Sequence, residues 1–127
     1  MKKLFLVRMT PASQDAFVLA KGDLFESIVE GLALVRLDKN NERTFKGLWS
    51  LIDIQSGLFV LKAKTQKKLL EAWEGRMLER NWKTAIEHAR ETSSYKNRIK
   101  EMEVEVYNWR TSGYNIFWMD PYPEDLY

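Results

Sequence analysis

LIDIQSGLFVLKAKTQKKLLEAW, residues 51–73, carries the densest folding information in this chain. Leu51–Ile54 is apolar apart from Asp53 and partly β-branched, Gln55-Ser56-Gly57 has the chemistry of a tight turn, and Leu58–Ala63 is apolar again apart from Lys62. Thr65 then stands where an N-cap hydroxyl belongs, just ahead of a run that is apolar on one side. Strand, turn, strand, helix is therefore the expected order. Upstream, Leu32–Leu37 reads as a strand, Asp38-Lys39-Asn40-Asn41 as its turn, and Phe45–Ile54 as the strand that follows. The expected fold class is α+β: an antiparallel three-stranded meander packed by a long or kinked helix, with a further C-terminal β-hairpin. Leu51, Ile52, Leu61, Leu70, Trp73 and Met77 are its expected core residues.

Outside that module the pattern is less regular. Lys3–Met9 predicts an opening strand, ended by Thr10-Pro11, whereas 16–20 is apolar without a clear period. Asp23 with Glu26 three positions on has the form of a capping box and predicts a short helix closed by Gly31. In the long helical stretch, Leu69, Leu70, Trp73 and Met77 share one face. Leu78, Trp82, Ala85, Ile86 and Ala89 share another, about 150° away at ~100° per residue. Two apolar faces predict a discontinuity: a kink near Gly75, two helices meeting there, or a second half packed on another chain. Glu101-Met102-Glu103-Val104-Glu105-Val106 alternates with period two and predicts a half-buried strand. Arg110–Gly113 predicts a turn, with Tyr114–Met119 pairing back as the hairpin, and the Pro-rich end 120–127 predicts no regular structure.

A chain of 127 residues suits one domain, 1–127, with the sheet-plus-helix core at about 32–91 and an acidic aromatic hairpin and tail at 101–127. It has no cysteine, which excludes thiolate nucleophiles and disulfides. Its apolar runs fall well short of the ~20 residues of a membrane span, so no membrane contact and a cytoplasmic location are expected. The net charge of +2 is unevenly spread: residues 61–100 hold eleven basic and five acidic side chains, and residues 101–127 hold one basic and six acidic. The middle is thus basic and the end acidic.

Catalytic patterns are missing. His88 is the only histidine, and its helical neighbours offer only Thr84 and Thr92. The glycines are scattered singly and form no phosphate loop. Glu101, Glu103 and Glu105 would stand ~7 Å apart along one strand face, too far to share one small cation. A non-catalytic protein with no metal and no cofactor is the expectation.

Binding is left, and three sets of residues could carry it. Arg76, Arg80, Lys83 and Arg90 form a basic stripe on the helix, suited to carboxylates of a protein partner or of Glu101, Glu103 and Glu105. Phe117, Trp118 and Tyr122, set among acidic residues, suit a protein interface. Arg36, Lys62 and Lys64 on a sheet face with Trp49 would suit a nucleic-acid backbone with base stacking. The run Trp49, Asp53, Ser56-Gly57 and Thr65-Gln66-Lys67-Lys68 resembles a strand-turn-strand-helix pattern in small proteins of phages and other mobile elements. It is also similar, less closely, to the sheet-and-helix DNA-binding modules of some phage-type integrases. That resemblance implies a small binding or regulatory protein acting on a protein partner, as anti-CRISPR and host-takeover inhibitors do. A DNA- or RNA-binding accessory factor is the alternative implied, a structural or assembly protein is a third, and a homodimer is compatible with each.

Overall fold

Among the described residues the sheet has five strands, not three. The computed structural model describes residues 2–8, 17–36, 48–79 and 82–119. Strands β1 (Lys3–Arg8), β2 (Phe17–Phe25), β3 (Leu32–Arg36), β4 (Trp49–Asp53) and β5 (Phe59–Ala63) lie side by side in chain order, each antiparallel to the next. Helices α1 (Gln66–Glu79), α2 (Trp82–Arg90) and α3 (Ser93–Thr111) follow. The α+β class stands, while the three-stranded meander with a C-terminal hairpin is replaced by a five-stranded meander and a long C-terminal helix. The 38–41 turn, residues 45–47 and the 120–127 tail lie outside the described residues.

Side-chain alternation gives the sheet two apolar faces, and different helices cover them. Ala33, Val35 and Ile52 point to one side, with Phe5 and Val7 of β1, where Tyr95, Ile99, Met102 and Val106 of α3 close the core. Leu32, Leu34 and Leu51 point to the other, where Leu69 and Trp73 of α1 pack with Val29 and Phe25. The Trp73 ring meets Phe25 edge-on at 5.6 Å. Leu51, Ile52 and Trp73 are buried as expected; Leu61, Leu70 and Met77 are only half-buried.

Three local readings change. Asp23 and Leu24 are not in a helix but in β2, paired with Leu34 and Ala33, and the chain reverses at Gly31 with φ +80°. The expected discontinuity is present but not at Gly75: α1 runs through Gly75 to Glu79, and α2 starts afresh at Trp82. Residues 101–106 are helical. In α3 the buried positions are 95, 99, 102 and 106, the i, i+4, i+7 rhythm of one helix face. Val104 lies opposite them, 59% exposed. The helix is capped by Thr92, whose hydroxyl accepts from Tyr95 N at 3.1 Å. It closes at Gly113 (φ +104°), where Tyr114 N donates to Trp109 O and Gly113 N to Arg110 O.

The chain after α3 returns to the sheet instead of forming a hairpin. Ile116 makes a parallel bridge to Leu4, and Phe117 N donates to Leu4 O at 2.8 Å. Further along the same strand Arg8 N donates to Gly57 O at 2.9 Å, so the β4–β5 turn reaches the other end of β1. An edge that would otherwise invite pairing with another chain is covered at both ends.

Candidate nucleic-acid interface

Register places the cations of the sheet. Lys21 stands opposite Arg36, Arg36 opposite Trp49, and Trp49 opposite Ala63. These four residues form one row across β2 to β5, about 14 Å long at the usual strand spacing. Lys21 and Arg36 are exposed and Trp49 is half-buried. The Arg36 guanidinium lies over the Trp49 indole, 5.6 Å from the ring centroid. Lys21 and Arg36 are like charges directly opposite each other on neighbouring strands, an arrangement that an anion between them would stabilise.

Beyond Ala63 the chain carries further cations into α1. Lys64, Lys67 and Lys68 are exposed, and the first turn of α1 has no acidic residue. Its N-cap is Thr65, whose hydroxyl accepts from Lys68 N at 3.1 Å. Helix N-termini carry partial positive charge and ordinarily attract carboxylates; here lysines add to that charge. Lys62 is on the opposite sheet face. It pairs in register with Ser50, and its ammonium sits 4.6 Å from the Phe59 ring centroid, where partial burial lowers its pKa from the ordinary lysine value. The expected single face of Arg36, Trp49, Lys62 and Lys64 is therefore divided, and Lys21, which the sequence reading missed, joins the row instead. Only the pairing of β2 with β3 identifies it, because residues 23–26 carry the local pattern of a helix start.

The helical stripe has other engagements. Arg76 is exposed with its guanidinium 4.8 Å from the Trp82 ring centroid. Lys83 pairs with Glu87 one turn on, at 3.5 Å. Arg90 reaches Asp53, its Nη2 donating to Oδ1 at 2.6 Å. Arg80 is outside the described residues. Glu101 faces Arg8 and not the stripe. Of the aromatic set, Phe117 is half-buried edge-on to Phe5 at 5.7 Å, and Trp118 is buried with its Nε1 donating to Gln55 O at 3.1 Å. Tyr122 is outside the described residues.

The most polar buried cluster is structural. Asp53 ends β4 and is 6% exposed. Its Oδ1 accepts from Arg90 Nε and Nη2, and its Oδ2 from Ser56 N, Ser56 Oγ and Tyr95 Oη. Five donors fill the carboxylate, and Ser56 Oγ also accepts from Leu58 N at 3.2 Å. Neither group has room for a substrate. The cluster joins the β4–β5 turn to the end of α2 and the start of α3. Burial, with Asp53 beside it, pushes the Tyr95 phenol far above its ordinary pKa. Arg8 does the same work at the other side of the turn, donating from Nε to Ser56 O and from Nη2 to Arg98 O.

Among the described residues, no group of three or more His, Cys, Asp and Glu is placed to hold a metal ion, and no helix is long and apolar enough to cross a membrane. His88 is exposed on α2, 3.9 Å from Glu91. Compared with family models, curated proteins and solved structures, the chain matches none.

Proposed function

We propose that this protein is a non-catalytic nucleic-acid-binding factor whose contact surface is the basic end of the sheet. The observation that carries this reading is the row Lys21–Arg36–Trp49, where two exposed cations stand opposite each other beside an indole already stacked under one of them. Phosphates lie between Lys21 and Arg36 and along Lys64, Lys67 and Lys68. A splayed base stacks on the Arg36–Trp49 pair, as bases do on guanidinium and aromatic planes. A single strand is the preferred form, because its bases are free to stack. A protein partner held by the stripe and the aromatic end draws less support, since Arg90 and Trp118 are engaged inside the fold.

Fluorescence anisotropy with a labelled single strand of mixed sequence tests it. Binding is expected to weaken with salt at a log–log slope of about −2 to −4, as for three to five neutralised phosphates. Lys21→Glu with Arg36→Glu should remove most of the affinity, and Trp49→Phe should weaken single-strand binding more than duplex binding. Lack of binding at ~0.1 M salt, or binding indifferent to the double reversal, overturns the proposal.

A further inference from the structure

We infer that α3 is a self-association surface that pairs antiparallel with α3 of a second copy of this chain. Helix α3 buries one face on the sheet and leaves Tyr107 and Val104 at 67% and 59% exposure on the other. A groove of about 420 Å³ runs beside them, lined by Glu103, Val104, Val106, Tyr107, Arg110 and Trp118. Large apolar side chains next to a groove are an incomplete packing arrangement, and the charges around them say what completes it. Glu103 and Arg110 are seven residues apart, two helical turns and ~10.5 Å, with Tyr107 between them. An interface between identical copies about a two-fold axis must be complementary to itself.

An antiparallel α3 pair meets that condition. With the axis midway between residues 106 and 107, Glu103 of each copy faces Arg110 of the other at both ends. The two Tyr107 side chains come together within about 1 Å of the axis along the helix, where ring stacking is available. Lys100 falls opposite Gly113, so no like charges oppose. The arrangement of one acidic and one basic group about a central aromatic matches itself under a two-fold axis, which is what favours a second copy as the occupant. The patch is small, which places the dimer among weak associations.

Sedimentation velocity on the full chain, from about 5 to about 200 µM, tests the inference. A shift from monomer towards dimer with rising concentration is expected. Tyr107→Glu should abolish it, and Glu103→Lys should weaken it at least about tenfold, with the larger effect at low salt. Both positions are exposed, and a melting curve at the lowest concentration checks that each variant remains folded. Arg110 is left untouched because its Nε and Nη2 donate to Ile116 O. A chain that stays monomeric throughout overturns the inference. So does a dimer that survives Tyr107→Glu, including one lost instead on changing Leu24 or Ile28, which are exposed elsewhere.

Discussion

The Tyr95 phenol illustrates how single groups hold this fold. It is 8% exposed and donates to Asp53 Oδ2 at 2.6 Å, so ionising it would bury a second negative charge against the first. Its folded pKa is therefore raised above the ordinary 10.0. Below that pH, folded and unfolded chains both hold the proton and the contribution to stability is complete. Above it the unfolded chain releases a proton that the folded chain keeps, so stability falls by about 1.4 kcal/mol per pH unit. Urea titrations between pH 8 and 12 should show Tyr95→Phe losing one proton's worth of that alkaline slope; an unchanged slope would mean the phenol ionises in place. Glycines give a second residue-scale test, because three of them meet different surroundings. A Cβ at Gly22 would press into the Leu34 carbonyl of β3, and one at Gly57 (φ +76°) would press into Met102. A Cβ at Gly75 meets nothing within 4 Å. Alanine at 22 or 57 should destabilise by about 1–3 kcal/mol or more, and alanine at 75 should stabilise by up to about 1 kcal/mol. Chemical denaturation of the three variants ranks them directly, and a destabilising Gly75→Ala would bring back the hinge that the two apolar faces suggested.

At the level of elements, the legible parts of the sequence were those where local pattern and tertiary role agree. The strand, turn and strand of 51–63, the Thr65 cap and the opening strand appear in the structure close to where they were expected. The misreadings share a cause, a short window that fits two periods at once. In Glu101–Val106, Met102 and Val106 are buried at a spacing of four, and Val104 happens to be apolar between them, so a helix face imitates a strand. A window reaching back to Tyr95 and Ile99 would have shown the longer rhythm. Asp23 and Glu26 imitate a capping box, but the register of β2 against β3 overrides that local signal. Lys21 was missed for the same reason. The two readings of 101–106 differ at one testable position. A strand would bury Val104 beside Met102, whereas the helix leaves it exposed. Met102→Ala should then cost about 2–5 kcal/mol and Val104→Ala less than about 0.5 kcal/mol, measured at a protein concentration low enough to keep the chain monomeric. Equal losses at both positions would favour the strand.

Across the whole molecule the decisive contacts join parts far apart in sequence, which is why no local pattern announced them. The N-terminal strand is held on its outer side by residues 57 and 117, and Gln55 in the β4–β5 turn both accepts from Trp118 Nε1 and donates to Met119 O. The segment after α3 is thus a closing element of the sheet-and-α3 core, with Ile116 and Trp118 2% and 9% exposed within it. Phe117 and Trp118, which the sequence marks as an interface, pack inward instead. Removing residues 115–127 tests this role. The deletion takes away one buried isoleucine and one buried tryptophan, for which truncation to alanine alone costs about 2–5 and about 3–5 kcal/mol. It also uncovers the Leu4 carbonyl and deprives Arg110 of the Ile116 oxygen it holds. The combined loss is comparable with the entire stability of an ordinary domain, about 5–15 kcal/mol. The shortened chain should therefore lose its cooperative thermal transition near room temperature and expose β1 to pairing with other chains, seen as aggregation. If the chain ending at Tyr114 melts within a few degrees of the intact protein, the segment is an appendage and the closure of β1 belongs to Gly57 alone.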